Sequence, residues 1–201
     1  MKLVLASKNQ KKLVEMNEIL SHLGIQVCSE AEAGVDVEVE ETGSTFEENS
    51  LLKARAVMEA SGMPAIADDS GLCVDALNGA PGVYSARYGG EGLDDTGRYR
   101  LLLENMRGQT PRTAKFVSVI TCCFPNGDVL SARGECPGTI AFAPMGEGGF
   151  GYDPVFFIPS LKKTFAQLSP EEKNAISHRG KALEAFKVKL EEYLGEGRVK
   201  N

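Results

Sequence analysis

Residues 64–71 read Pro-Ala-Ile-Ala-Asp-Asp-Ser-Gly, a short apolar run that stops at two adjacent carboxylates, a hydroxyl and a glycine. Such a run is the signature of a buried strand that delivers acids to a site. Neighbouring side chains on a strand point to opposite faces, so Asp68 and Asp69 cannot both meet the same ligand. One is expected to do chemistry while the other props the turn. Two like charges beside a core are costly unless a cation or a hydrogen-bond network holds them. A hard divalent ion, Mg²⁺ by default, is the simplest holder. The competing reading is an Asp-Asp-Ser-Gly turn with solvated acids.

Three other segments could carry chemistry. Ser7, Lys8, Asn9, Gln10, Lys11 and Lys12 stand where an apolar strand over 3–6 feeds a helix, a place with unpaired backbone N–H groups and the positive end of a dipole, both suited to phosphate. The glycines and the Gly-Lys-Ser/Thr ending of a Walker A loop are missing. A solvated, lysine-rich first turn is the plain alternative. Lysines at a helix start oppose the dipole, however, and an anionic ligand relieves that penalty. Residues 148–154, Gly-Gly-Phe-Gly-Tyr-Asp-Pro, set glycines around two aromatics and an acid. Glycines admit a ligand to the backbone, an aromatic face stacks on a base, and Asp153 or a backbone group reads its edge. Packing of Phe150 and Tyr152 beside a plain loop is the rival. Finally, His178 and Arg179 lie in the run Ser177-His178-Arg179-Gly180, with Lys173 little more than a helical turn earlier. Three donors at one helix junction suit the carbonyl oxygens of a ligand, whereas an exposed basic helix end is the ordinary explanation of such a cluster.

The elements that must position these residues follow from periodicity. After the opening strand, Leu13, Met16, Ile19, Leu20 and Leu23 keep a helical period that Gly24 ends, and 25–28 is a second strand. The acidic stretch 30–41 reads as a strand or loop that carries carboxylates outward. Thr45 and Glu48 form a capping-box pair at the start of a helix that Gly62 and Pro64 stop, with Asn49 and Lys53 on one face. The strand into Asp68 follows, then a segment at 72–74, a Gly/Pro loop at 78–82 and a helix over about 94–106. A hairpin is expected over 114–140 around a two-residue Asn126-Gly127 turn. A strand at 155–158 and two helices close the chain, the first capped by Ser169 with Pro170 and Glu172, the second near 181–194. Strands alternating with helices predict an α/β fold, an elongated mixed sheet with helices packed on it as two lobes around a central cleft.

Composition narrows the function class. The 201 residues fit a single two-lobed domain spanning 1–201. The net charge of −6 argues against a broad nucleic-acid surface but leaves room for a small anion beside a local basic cluster. No long apolar stretch suggests a membrane span, and the first residues are too short an apolar run for a signal peptide, so a cytoplasmic protein is expected. Five cysteines without a Cys-x-x-Cys pair read as reduced core residues, and with His22 and His178 alone a histidine-built metal site is not expected.

Taken together, these segments resemble the inosine/xanthosine triphosphate pyrophosphatase family. The resemblance spans nearly the whole chain. It is carried by Ser7-Lys8-Asn9 with Lys12, by Glu40-Glu41-Thr42-Gly43 with Thr45-Phe46 and Glu48-Asn49, by Leu52-Lys53-Ala54-Arg55, and by 67–71 and 79–88. Phe150 to Pro154, Glu172-Lys173 and 177–180 complete it. It implies an ITPase-like fold, a purine nucleoside triphosphate held in the cleft, a homodimer, and Mg²⁺ as cofactor. It makes Asp69 the proton acceptor and a metal-associated acid, and Glu40 the other metal-associated acid. Ser7 to Lys12, Lys53 and Ser70 fall on phosphate-side or sugar-side positions. Phe150, Gly151, Tyr152, Asp153, Lys173, His178 and Arg179 fall on base-side or substrate-contact positions. Ser7-Lys8 replaces the family's frequent Thr-Gly. The implied activity is hydrolysis of ITP, dITP or XTP to the monophosphate and pyrophosphate. The rivals are a pyrophosphatase for other modified or pyrimidine nucleotides and a nucleotide-binding sensor without turnover.

Overall fold

The structure, a computed structural model, describes residues 1–197. Its strands form one seven-stranded mixed sheet in the order β2-β1-β3-β4-β5-β6-β7, flanked by helices. The strands are β1 (Lys2–Leu5), β2 (Gln26–Ser29), β3 (Ala65–Val74), β4 (Thr113–Cys123), β5 (Val129–Ile140), β6 (Phe156–Ile158) and β7 (Lys163–Thr164). The helices are α1 (Gln10–Leu20), α2 (Phe46–Ser61), α3 (Asp95–Asn105), α4 (Pro170–Ile176) and α5 (His178–Gly195). β1 pairs in parallel with both β2 and β3, while β6 runs antiparallel to β5 and β7. The chain divides into two compact units. Unit 1 holds Met1–Asp69, Ser118–Gly134 and the residues from Lys181 onward, and unit 2 holds Ser70–Val117 and Glu135–Gly180.

In unit 1 the parallel strands are covered on both faces, as parallel strands require. Leu3, Leu5 and Ile66 pack with Met16 and Leu20 of α1 and with Leu183, Phe186 and Leu190 of α5. Val4, Ala6, Ala65 and Ala67 pack on the other face with Ala54 and Val57 of α2. This alternation decides where the two acids go. Asp68 shares a face with Ile66 and so looks toward α1, whereas Asp69 shares a face with Ala67 and looks toward α2. Unit 2 has its own core, in which Leu72, Val74, Phe116, Tyr152, Phe156 and Phe165 are buried together.

Several expected elements are redrawn. β3 does not stop at Asp68 but continues to Val74, because both carboxylates are paired within the fold and Leu72 and Val74 are fully buried. Thr45 caps α2 by accepting from the Glu48 N–H at 3.1 Å, but the Glu48 carboxylate turns to the Ser44 N–H at 2.6 Å instead of closing a box on Thr45. The hairpin has no two-residue turn: the Gly127 N–H reaches the Phe124 carbonyl and the Phe124 N–H the Asp128 carbonyl. Pro125 presets the backbone at the first central position, Asn126 accepts from the Asp128 N–H at 3.0 Å, and Gly127 takes φ 94°. Residues 35–43 form no strand. β6 begins at Phe156, after a 3₁₀ turn at Asp153–Val155, and the short β7 was not foreseen. α5 begins at His178, so His178 and Arg179 are its first residues.

β2 is the outermost strand of unit 1, and its backbone is paired by a side chain. The Asn17 amide accepts from the Val27 N–H at 2.8 Å and donates to the Val27 carbonyl at 2.7 Å. Asn17→Ala strips both bonds from a buried residue and should cost about 1–3 kcal/mol, seen as a lower urea midpoint with an unchanged slope.

Candidate active site

The acids at the middle of β3 occupy two different environments. The Asp68 carboxylate is wholly buried; it accepts from Ser118 Oγ of β4 at 3.0 Å and meets Lys12 Nζ of α1 at 3.5 Å. Ser118 itself is fully buried, so this acid is fixed by a hydroxyl and a lysine inside the unit. Asp69 points the other way. Its Oδ1 accepts from Lys53 Nζ of α2 at 2.8 Å, and the same ammonium reaches the Asp68 carbonyl at 3.1 Å and Glu41 Oε1 at 3.2 Å. Asp69 Oδ2 is buried with no hydrogen-bond partner among the described residues.

One ammonium is therefore shared by two carboxylates. Burial pushes the Asp69 carboxyl above its usual range; Lys53 opposes this, and Glu41 and Asp68 add to it. Burial alone would lower the Lys53 pKa, but Asp69 and Glu41 together hold it above the ordinary lysine value. Lys53 thus stays charged while Asp69 remains a poised base with one oxygen unsatisfied. A carboxylate in that condition takes a proton, a water or a cation.

The residues of the first turn sit as follows. Asn9 is the N-cap of α1, its Oδ1 accepting from the Lys11 N–H at 3.0 Å, and Ser7 Oγ accepts from the Asn9 N–H at 3.2 Å. No acid stands in the first turn of α1, so nothing within that turn offsets the positive end of its dipole. Gln10 and Lys11 are exposed and Lys12 is half-buried. Lys8 is turned to Asp36, 2.9 Å away in a well-exposed pair. Glu40 is exposed, and the carboxylate that the structure brings to Lys53 is its neighbour Glu41. Ser70 follows Asp69 on β3 and is half-buried.

In unit 2 the Gly-rich segment is built around Asp153, which is 3% exposed. Its Oδ2 accepts from Lys173 Nζ at 2.6 Å and from the Phe150 N–H at 3.1 Å. A Cβ at Gly149, which has φ 72°, would collide with that carboxylate. Burial raises the Asp153 carboxyl above its usual range, and Lys173 opposes the shift. Lys173 Nζ lies 4.6 Å from the Phe150 ring centroid and the Arg179 guanidinium 5.8 Å from it. His178 stacks on Phe116 at 4.7 Å. Phe150 is 40% exposed, but Tyr152 is not at the tip of the loop: it is buried, with its hydroxyl donating to the Ser85 carbonyl at 2.6 Å. Gly151, at φ 59°, donates its N–H to Asp95 Oδ2 at 2.9 Å.

Unit 1 thus sets Lys12 against Asp68 on one face of β3 and gathers Lys53, Asp69 and Glu41 on the other, and unit 2 gathers Phe150, Asp153, Lys173 and Arg179. Glu41 and Ser118 were not singled out from the sequence. Adjacency to Glu40 was the available signal for Glu41, and a lone serine in the β-rich run 116–124 gave a weaker one for Ser118.

Unit 1 offers an acid–lysine cluster and unit 2 an aromatic ring beside two cations, on a mixed α/β sheet. The chain belongs to the Ham1 family, whose model matches residues 3–189. It is 54% identical to a dITP/XTP pyrophosphatase of Desulforamulus reducens, over 91% of this chain and 92% of that protein. It is 52% identical to a dITP/XTP pyrophosphatase of Haemophilus influenzae, over 94% and 98%. The solved structure of a HAM1 protein from Coxiella burnetii superposes with a TM-score of 0.91 at 46% identity, covering 96% of this chain and 99% of that one.

The raised Asp69 pKa carries a stability consequence. A carboxyl whose folded pKa lies above its unfolded value costs stability once pH rises from the unfolded toward the folded pKa, and the cost vanishes at lower pH. Asp69→Asn removes that charge and keeps an acceptor for Lys53. In chelator at pH 7 it should melt no lower than wild type, and the difference should close as pH falls through the Asp69 pKa. A variant that melts well below wild type at pH 7 would contradict this.

Proposed function

We propose that this protein is a Mg²⁺-dependent nucleoside triphosphate pyrophosphatase that converts ITP, dITP or XTP to the monophosphate and pyrophosphate, and so removes deaminated purine nucleotides from the pool. The observation that carries the chemistry is the buried Asp69, with Oδ1 tied to Lys53 and Oδ2 unsatisfied. The substrate class is supported by relatives at about half identity that are named dITP/XTP pyrophosphatases. In this reading the acid–lysine cluster of unit 1 handles phosphate groups. The protein is a cytoplasmic homodimer by family resemblance, and no described helix is long and apolar enough to cross a membrane.

The donor set fits a hard divalent ion. Asp69 Oδ2, with a carboxylate of the Glu40-Glu41 pair, would hold Mg²⁺, which is commonly bound through one or two carboxylates together with substrate phosphates. When bound, the ion neutralises charge that develops on the phosphate oxygens. The residues do the rest. Asp69 orients a water and takes its proton as the water oxygen bonds to the α-phosphorus. The bond from that phosphorus to the oxygen bridging to the β-phosphate breaks, and pyrophosphate leaves with the electron pair. Lys12 and Lys53 balance the charge of the leaving group. Asp68, already satisfied by Ser118, holds Lys12 in place.

Incubation with ITP and Mg²⁺ should yield IMP and pyrophosphate, with inorganic phosphate and IDP absent; the opposite product pair would overturn the attack at the α-phosphorus. Asp69→Asn should lower kcat by roughly a hundred- to ten-thousand-fold with substrate binding largely kept. Near-normal turnover would remove Asp69 from the role of base.

Selectivity follows from donors. Hypoxanthine and xanthine carry a carbonyl at C6 that accepts from Lys173, His178 or Arg179, whereas the adenine amino group sets donor against donor. Such a mismatch is worth on the order of a thousand-fold in kcat/KM. ATP should therefore be a poor substrate beside ITP, and Arg179→Ala should lower ITP turnover and narrow the gap. Comparable efficiencies for ATP and ITP in the wild-type protein would exclude base reading by this cluster.

A further inference from the structure

The acidic segment that ends at Glu40-Glu41 has no sheet or helix to hold it, yet it must stand at a fixed distance from Asp69 if the two are to act together. Upstream, buried Glu30 takes the Val37 N–H at 2.9 Å and Val35 and Val37 pack on the core; at the Glu40-Glu41 end the backbone is held by another buried side chain. Asn49, fully buried in the first turns of α2, accepts from the Gly43 N–H through Oδ1 at 2.8 Å. Gly43 lies against it so closely that a Cβ there would come within 2.6 Å of Asn49 Oδ1 and 2.7 Å of Glu48 Cβ. Next along the chain, the Ser44 N–H is taken by Glu48 at 2.6 Å. One turn further on the same helix, Lys53 makes its contacts to Glu41 and Asp69. The pin and the shared lysine thus stand four residues apart on one face of α2, and both act on the same acidic loop.

We infer that Asn49 is a positioning residue: by holding Gly43 it sets where the Glu40-Glu41 carboxylates stand relative to Asp69, and so governs divalent-metal binding without touching metal or substrate. The inference rests on the metal reading given under the proposed function. Lys53 alone does not fix the loop, because a flexible ammonium follows a carboxylate that moves. The backbone bond at Gly43 does, since it leaves Thr42 and Glu41 one and two residues from a rigid helix. Removal of the acceptor should therefore spread the two carboxylates over many positions and weaken the metal site while the core of unit 1 remains intact.

The test is a Mn²⁺ titration of the whole protein followed by electron paramagnetic resonance, with melting curves recorded beside it. Asn49→Ala should weaken Mn²⁺ binding by about tenfold or more, the range for outer groups that orient metal ligands, in protein that remains folded at the titration temperature. Asn49→Asp, which keeps an acceptor for the Gly43 N–H, should lie nearer to wild type. Wild-type affinity in folded Asn49→Ala would overturn the inference. Amide hydrogen exchange of the wild-type protein keeps it falsifiable if the variants do not fold: the Gly43 N–H should exchange slowly, and exchange as fast as an exposed loop amide would also overturn it. Wild-type protein that binds no Mn²⁺ would remove the metal reading instead, and Gly43 exchange would then decide whether the pin exists.

Discussion

A single ammonium group shared by two carboxylates is the constraint on which the candidate site depends. Lys53 Nζ meets Asp69, Glu41 and the Asp68 carbonyl. One positive charge cannot fully compensate two buried or half-buried negative ones, so part of the desolvation cost remains on Asp69, where it appears as a raised pKa. A second lysine in that place would satisfy both acids and leave an inert ion-pair network. The deficit coincides with an Asp69 Oδ2 that has no hydrogen-bond partner among the described residues. It also makes the cluster ready for another cation, since a divalent ion would supply the charge that the fold withholds.

The alternation of β3 makes this deficit local. Asp68 and Asp69 are adjacent, and on a loop they would share solvent and counter-charge. On a strand they face opposite sides of the sheet, so each takes its partners from a different helix: Lys12 from α1 for Asp68, Lys53 from α2 for Asp69. Ser118 completes the first arrangement and, among the described residues, nothing equivalent completes the second. A one-residue slip in β3 would exchange the two acids and put Ile66 against α2, so the packing that fixes register also fixes which acid meets Lys12 and which meets Lys53.

Sequence patterns revealed the α/β class, the opposite facing of Asp68 and Asp69, the caps of α2 by Thr45 and of α4 by Ser169 and most helix positions, because those depend on local period and on cap chemistry. The parts they missed depend on partners distant in sequence. That β3 runs through two carboxylates was hidden, since its pairing with Ser118 and Lys12 lies outside any local window. Tyr152 read as a loop-tip aromatic, but its hydroxyl reaches the Ser85 carbonyl, a bond no spacing rule anticipates. The Asn126-Gly127 pair suggested a two-residue turn, and the preceding Pro125 outweighed it. Glu41 could not be told from Glu40 by position in an acidic run; a single lysine on another element distinguishes them.

The two units balance charge differently. In unit 2, Lys173 is bound at 2.6 Å to Asp153, so over the Phe150 ring it offers N–H donors with much of its charge neutralised. In unit 1, Lys12 meets the buried Asp68 at 3.5 Å from a helix start whose first turn holds no acid, so nothing within that turn offsets the dipole. A neutral purine is recognised by the direction of its hydrogen bonds and gains little from net charge, while a triphosphate gains from charge and is tolerant of direction. Gly149 belongs to this arrangement, because without room for the Asp153 carboxylate Lys173 would regain its charge and lose its fixed position over the ring.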